Sequence, residues 1–191
     1  MILGVMTFSK RGQKTAEDLF EKCKEISPLY YDGDMPREAW IRDKFSYHIP
    51  LLFVGATGIA VRLIAPFVED KLRDSAVIVM DQRGRHVIPL LSGHMGGANE
   101  IARNLADRVG AEVILTTATD VEDLFAVDVF ARRNGFCICD RAGIRRISQR
   151  LLEGEKIRLA IDPAITFFKE DLPEGLHLVE ASDGNVDLWI G

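Results

Sequence analysis

The chain has 191 residues, enough for one ordinary domain or two small ones packed closely. Hydrophobic residues make up 47% and charged residues 28%, a globular balance that excludes a disordered chain. The formal net charge of −5 argues against a general nucleic-acid or membrane-surface role, and an anionic ligand would need a local cationic patch.

The opening MILGVMTFSKRGQK has too short an apolar part for a signal peptide, and its basic residues follow that part. No stretch approaches the ~20 apolar residues that span a membrane, so the cytoplasm is the expected location. Ile2–Phe8 predicts a first strand, and Ser9 is placed to cap a helix in which Ala16, Leu19, Phe20, Cys23 and Ile26 recur at helical spacing. Pro28–Tyr31 predicts a second strand, Asp32-Gly33-Asp34 a turn, Pro36–Tyr47 a helix, and Pro50–Val54 a buried strand. Gly55-Ala56-Thr57-Gly58 ends that strand, and Ile59–Ala65 begins a helix broken near Pro66. Ala76–Asp81 reads as a strand, Gln82-Arg83-Gly84 as a turn, and His86–Leu91 as a returning strand. Gly93–Gly97 is a loop, and Ala98–Val109 an amphipathic helix with Gly110 as its stop. Glu112–Leu115 predicts a strand, followed by Thr116–Asp120.

Beyond that point Leu124–Arg133 and Ile144–Leu152 read as helical, Phe136–Cys139 as extended, and Ile157–Ile161 as a strand. Pro163–Gly175 is turn-rich, and Leu176–Val179 and Val186–Ile190 are further strand candidates. The alternation predicts an α/β fold, a mostly parallel sheet flanked by helices, with a smaller α/β C-terminal region. The boundary is placed after residue 120, giving an N-terminal domain over 1–120 that carries the glycine-rich loops and a smaller region over 121–191. Cys23, Cys137 and Cys139 are an odd number, consistent with reduced thiols. On a strand Cys137 and Cys139 would share one face. Without suitably spaced histidines the three make no zinc site, and packing is their expected role.

Three segments carry chemistry. In Val54–Arg62 a strand runs into a small-residue loop and a helix, which exposes backbone N–H groups at the positive end of the helix dipole. Gly55, Thr57 and Gly58 line that loop, and Arg62 could pair with a carboxylate or phosphate. The segment is neither a Walker loop nor a dinucleotide fingerprint. The residues alone leave an anion site and a plain tight turn with a solvated Arg62 both open. In Leu90–Glu100, Gly93, Gly96 and Gly97 allow close approach to a ligand, and the Gly96 and Gly97 amides could hold an oxyanion. His94 is the group suited to change protonation near neutral pH, while Ser92 and Asn99 offer polar contacts. Thr116–Asp120 places hydroxyls, including Thr117 and Thr119, and the Asp120 carboxylate directly after a strand, where α/β sheets collect ligands. Thr119 or Asp120 could instead cap a following helix.

His94, Asp120 and Ser92 are therefore the candidate catalytic residues. A Ser-His-acid triad is disfavoured, because the Gly-x-Ser-x-Gly elbow is absent and Ser92 lies two residues from its histidine. Lys71 and Arg85 could complement an anionic ligand. Other charges, Arg73 among them, read as solvated surface, and His48, His86 and His177 as structural.

GATGIAVRLIAP, then DKLRDSAVIVMDQRGRHVIPLLSGHMGGANEIARNLA, then TTATD, in that order, resemble the cobalt-precorrin-5A hydrolase family, CbiG. The resemblance is close over Leu51–Asp120 and looser from Ile2 to about Ile161. It implies an enzyme of the oxygen-independent branch of cobalamin biosynthesis that opens the δ-lactone of cobalt-precorrin-5A and releases acetaldehyde. It implies a cobalt-corrinoid intermediate as ligand, carrying acetate and propionate carboxylates that Arg62 and nearby amides would meet. No cofactor is expected beyond the cobalt of the substrate. His94 or Asp120 would activate water; His94 as an axial ligand to the substrate's cobalt is the other reading. Family members usually continue into a glycine- and cysteine-rich C-terminal domain, which is expected to be absent here, as in a split subunit or short member. A separately encoded C-terminal domain, other enzymes of the pathway and a second copy of the chain are the conceivable partners. The competing function class is a tetrapyrrole-binding subunit or carrier without catalysis. A generic phosphate-binding α/β protein is opposed by the missing fingerprints.

Overall fold

The computed structural model describes residues 1–70, 73–122, 124–165 and 173–191, with the side chains of residues 119 and 183 set aside. They form two compact units, Met1–Leu115 and Thr116–Gly191, so Thr116–Asp120 belongs with the second.

In the first unit β1 (Ile2–Thr7), α1 (Lys10–Lys22), β2 (Ser27–Tyr30), α2 (Arg37–Ser46), β3 (Leu51–Val54) and α3 (Thr57–Ile64) alternate. A 3-10 turn at Ala65–Phe67 leads on to β4 (Val77–Met80), β5 (His86–Leu91), α4 (Ala98–Val109) and β6 (Glu112–Val113). Among the described residues the six strands make one sheet in the order β2-β1-β3-β4-β5-β6. The first four run parallel, β5 lies antiparallel to β4, and β6 runs with β5. The sheet is thus mostly parallel in its pairings, with a reversal at β5.

β3 and β4 are apolar throughout because both faces are covered. Leu52, Val54, Ile78 and Met80 face α1 and α4 in one core. Leu51, Phe53, Val77 and Val79 face α2 and α3 in the other. Ser9 caps α1, its hydroxyl accepting from the Gly12 amide at 3.0 Å. The β4–β5 turn is held by Asp81, whose carboxylate accepts backbone N–H bonds from Arg83 at 2.7 Å, Arg85 at 2.8 Å and His86 at 2.7 Å.

The second unit contains α5 (Ala118–Val121), α6 (Val127–Asn134), α7 (Arg141–Leu152), β7 (Ile157–Ile161), β8 (Leu176–Leu178) and β9 (Leu188–Ile190). The three strands pair in parallel in the order β8-β7-β9, and Phe125, Ile147, Leu151 and Ile157 form its core. The extended segment expected at Phe136–Cys139 is not a strand: the chain leaves α6 at the left-handed Gly135 and runs unpaired to the Asp140 cap of α7. Cys137 and Cys139 are exposed there rather than packed, whereas Cys23 is buried as expected. Of the turn-rich stretch expected at Pro163–Gly175, residues 166–172 lie outside the described residues, as does Lys71. Among the described residues no helix is long and apolar enough to cross a membrane.

Asp187 ties the second unit together. Its carboxylate accepts from Arg150 Nη1 at 2.8 Å and from the Arg158 backbone N–H, Nε and Nη2 at 2.9, 3.0 and 3.1 Å. The Arg158 and Arg150 guanidinium groups outweigh desolvation and hold this carboxyl well below the usual carboxylate range. A depressed carboxyl contributes stability above its unfolded value and loses it as pH falls towards the folded value. Asp187→Asn is therefore expected to destabilise the protein by about 2 kcal/mol at neutral pH and to flatten its acid unfolding below pH ~4. Urea melts at pH 7 and pH 3 check both effects.

Candidate functional site

β5 ends opposite the start of β4, with Leu91 paired to Val77, and the chain must turn sharply there to enter α4. Three backbone bonds close that turn. Ala98 N–H donates to the Ser92 carbonyl at 3.1 Å, Asn99 N–H to that of Gly93 at 3.0 Å, and Gly97 N–H to that of His94 at 3.0 Å. The closure is so tight that a Cβ on Gly96 would lie 2.5 Å from Ser92 Cβ and 2.8 Å from the Ser92 carbonyl oxygen. A Cβ on Gly93 would meet the Asn99 side-chain amide, which is itself buried. Gly97 starts α4 from a left-handed conformation, φ 82°.

The consequence falls on Ser92. It is 8% exposed, has φ 54°, and its Oγ finds no hydrogen-bond partner among the described residues. A non-glycine residue held in this region costs about 1 kcal/mol or more. A buried hydroxyl without a partner costs about 1–3 kcal/mol besides. Two penalties thus fall on one residue, in a loop the fold closes firmly, which makes Ser92 a candidate functional position. His94 is half-buried at the tip of the same loop. Ser92, Gly93, His94, Gly96, Gly97 and Asn99 are thus brought together. The Gly97 amide is spent on the His94 carbonyl, which corrects its expected oxyanion role.

The Gly55 segment is elsewhere. β3 is parallel to β4 and ends beside Met80, whereas β5 ends beside Val77. The two glycine loops therefore leave opposite ends of the sheet, separated by four-residue strands, about 13 Å along the strand direction. Gly55, Thr57 and Gly58 sit at the carboxyl ends of the parallel strands, beside the point where strand order reverses between β1 and β3. The Gly55 amide is engaged with the Met80 carbonyl at 2.9 Å, and a Cβ there would strike the Phe8 ring, so this glycine serves packing. Arg62 does not reach out for an anion: its Nη1 donates to the Gly58 carbonyl of its own helix at 2.8 Å. One acyl group cannot contact both loops.

In the second unit Thr117 precedes the one-turn α5, and Asp120 and the Thr119 backbone lie within it. Asp120 is therefore not a cap, and Thr117 makes no side-chain cap bond. A feature without sequence signal lies at the same end of the first unit's sheet as the Ser92 loop. A cavity of about 550 Å³ opens between α2 and the 3-10 turn, walled by Phe45, Pro66 and Phe67 with Arg42, His48 and Arg73 around it. His48 and Ser92 are the two non-glycine residues with positive φ among the described residues, and both stand at this end.

Fold and loop define a doubly wound α/β protein whose strained loop sits where an antiparallel strand ends. Family models match consecutive stretches of it, Cobalamin synthesis G N-terminal over residues 39–120 and Cobalamin biosynthesis central region over residues 125–182. The chain belongs to the CbiG family of cobalamin biosynthesis. It is 43% identical over 147 residues to the cobalt-precorrin-5A hydrolase of Salmonella typhimurium, covering 76% of this chain and 41% of that protein. It is 38% identical over 113 residues to the cobalt-precorrin-5A hydrolase of Priestia megaterium, covering 59% of this chain and 30% of that protein. A crystal structure of a cobalamin biosynthesis protein G homolog from Sulfolobus solfataricus has the same fold. It matches with TM-score 0.59 and 23% identity, over 99% of this chain and 58% of that chain. The chain spans less than half the length of these two curated relatives.

Ser92→Gly is expected to relieve the backbone strain and remove the orphaned hydroxyl. After the entropic cost of glycine it should gain about 1 kcal/mol. Ser92→Ala, which keeps the strained φ, should gain less. Thermal melts of both variants check this; a fall in midpoint for Ser92→Gly would show that the hydroxyl is satisfied in the folded protein.

Proposed function

We propose that this chain supplies the N-terminal and central parts of a cobalt-precorrin-5A hydrolase, which opens the δ-lactone of the cobalt-corrinoid intermediate with release of acetaldehyde. The observation that carries the reading is the family match over 39–120, which spans the loop where strain and an unpartnered hydroxyl coincide at Ser92. The 43% identity to a named hydrolase supports it.

Lactone opening needs a base for water, a donor for the oxyanion, and a way to release the alkoxide. On the loop, His94 is placed to take a proton from water as it adds to the lactone carbonyl. The Ser92 hydroxyl, buried and unpartnered in the free protein, would donate to the developing oxyanion once the loop shifts to expose it. The Gly96 amide, which makes none of the loop's closing bonds, is the backbone donor suited to the same oxygen. The ring C–O bond then breaks, leaving a carboxylate and an alkoxide. The alkoxide collapses to acetaldehyde as its bond to the macrocycle carbon breaks, and that carbon keeps the electron pair and takes up a proton. Asp120 is the alternative base.

Anaerobic incubation of the chain with cobalt-precorrin-5A, with trapping of acetaldehyde and the product mass followed, tests the reading. Acetaldehyde with the ring-opened product is the expected outcome. His94→Ala is expected to lower turnover about 100-fold or more while the melting midpoint holds. Full activity in His94→Ala, with loss in Asp120→Asn, would move the base to Asp120. Tight binding of substrate without acetaldehyde would make the chain a carrier instead.

A further inference from the structure

The cavity between α2 and the 3-10 turn lies outside the Ser92 loop. Its apolar lining is Phe45 from the last turn of α2 and Pro66 and Phe67 from the turn after α3, and polar and charged side chains make up the rest. One of its two arginines is held in place. The Arg42 guanidinium lies 5.7 Å from the centroid of the Phe67 ring, a stacking that fixes the side chain and leaves its edge N–H groups open. Arg73 is followed by Asp74, whose Oδ1 accepts from the Glu69 amide at 3.0 Å and the Asp70 amide at 3.2 Å. The Arg73 and Asp74 amides in turn donate to the Asp70 carbonyl at 2.9 and 2.8 Å. Neither guanidinium lies within ion-pair distance of a carboxylate among the described residues. Glu38 and Glu69 also border the cavity, but both are exposed, where solvent screens them, and the buried Asp74 carboxylate is already occupied by amides.

The position matters as much as the composition. His48 comes just before β3 and Asp74 just before β4, and β5 delivers Ser92 at that same end of the sheet. The backbone connects them: a Cβ on Gly96 would lie 3.3 Å from the Ala76 amide, two residues after Asp74. The volume, about 550 Å³, is that of a ligand pocket, too small for a whole tetrapyrrole and suited to one edge of it.

We infer that this cavity is a substrate-binding subsite in which Arg42 and Arg73 pair with carboxylate arms at the edge of the corrinoid while Phe45, Pro66 and Phe67 pack against its apolar rim. The inference rests on the proposed hydrolase reading for the identity of the ligand. It assigns carboxylate recognition to Arg42 and Arg73, not to Arg62, whose guanidinium is turned back on its own helix.

The test is calorimetric titration of the whole chain with cobyrinic acid, a stable cobalt corrinoid with free carboxylates, and with its fully esterified counterpart. Wild type is expected to prefer the acid. Arg42→Ala/Arg73→Ala is expected to raise Kd for the acid at least about 10-fold, with Arg42→Lys in between and Arg145→Ala, an exposed residue of α7, without effect. Melting midpoints of all variants separate lost binding from lost folding. Unchanged affinity in the folded double variant, or no preference for the acid in wild type, overturns the inference. In the turnover assay the double variant should raise KM and leave kcat. Turnover with an unchanged KM would sink the subsite and keep the hydrolase. Arginine-dependent binding without acetaldehyde from cobalt-precorrin-5A would keep the subsite and sink the hydrolase.

Discussion

Asp81 sits at the end of β4 with a carboxylate that accepts three backbone N–H groups of the turn that follows. Burial alone would raise its pKa, but the amides of Arg83, His86 and Arg85 outweigh it and hold the group ionised below the usual carboxylate range. That anchored turn sends β5 back antiparallel to β4, and everything downstream follows from the reversal. In a wholly parallel sheet both glycine loops would leave the same edge and could have shared one ligand. Here the reversal puts the Ser92–Gly97 loop at the amino ends of the parallel strands and leaves Gly55–Gly58 alone at the carboxyl ends. Relative to the usual placement of α/β sites at carboxyl strand ends, the Ser92–Gly97 loop lies at the carboxyl end of β5, the strand that runs the other way.

The loop then concentrates cost where chemistry is wanted. Three backbone bonds and the packing of Gly93 and Gly96 leave Ser92 no relaxed backbone conformation and no partner for its hydroxyl. A buried donor already stripped of water responds strongly to charge that develops beside it, since no solvent has to be displaced during reaction. The same closure spends the Gly97 amide on the loop itself and leaves the Gly96 amide outside its closing bonds.

Much of the fold is legible in the sequence, because burial on two faces writes itself as continuous apolar runs. Leu51–Val54 and Val77–Met80 are unmistakable for that reason. Ser9 and Gly110 mark helix ends by well-defined capping chemistry. The reversal at β5 is legible too, since a turn as short as Gln82–Gly84 can join only antiparallel neighbours. Its effect on which loops can meet emerges only when strand directions are followed through the sheet. Phe136–Cys139 is apolar like a strand but pairs with no strand among the described residues, so local composition misleads there. Arg42 and Arg73 carry no signal at all: each sits in a charged stretch that reads as solvated surface, and only the packing of α2 against the turn after α3 makes them neighbours of one cavity. The strain at Ser92 is equally invisible, because nothing in Leu-Ser-Gly-His says that the serine takes a positive φ.

On the proposed function, the ligand meets the Ser92 end of the sheet and not the Gly55 end. A cobalt(II) corrinoid is paramagnetic, so its position on the chain can be read from the broadening of backbone amide signals on addition of cobalt(II) cobyrinic acid. The account predicts broadening at Ser92–Gly97, at His48 and at Arg73, with Thr57 and Gly58 sharp. Broadening centred on Thr57 and Gly58, with the Ser92 loop unaffected, would contradict it.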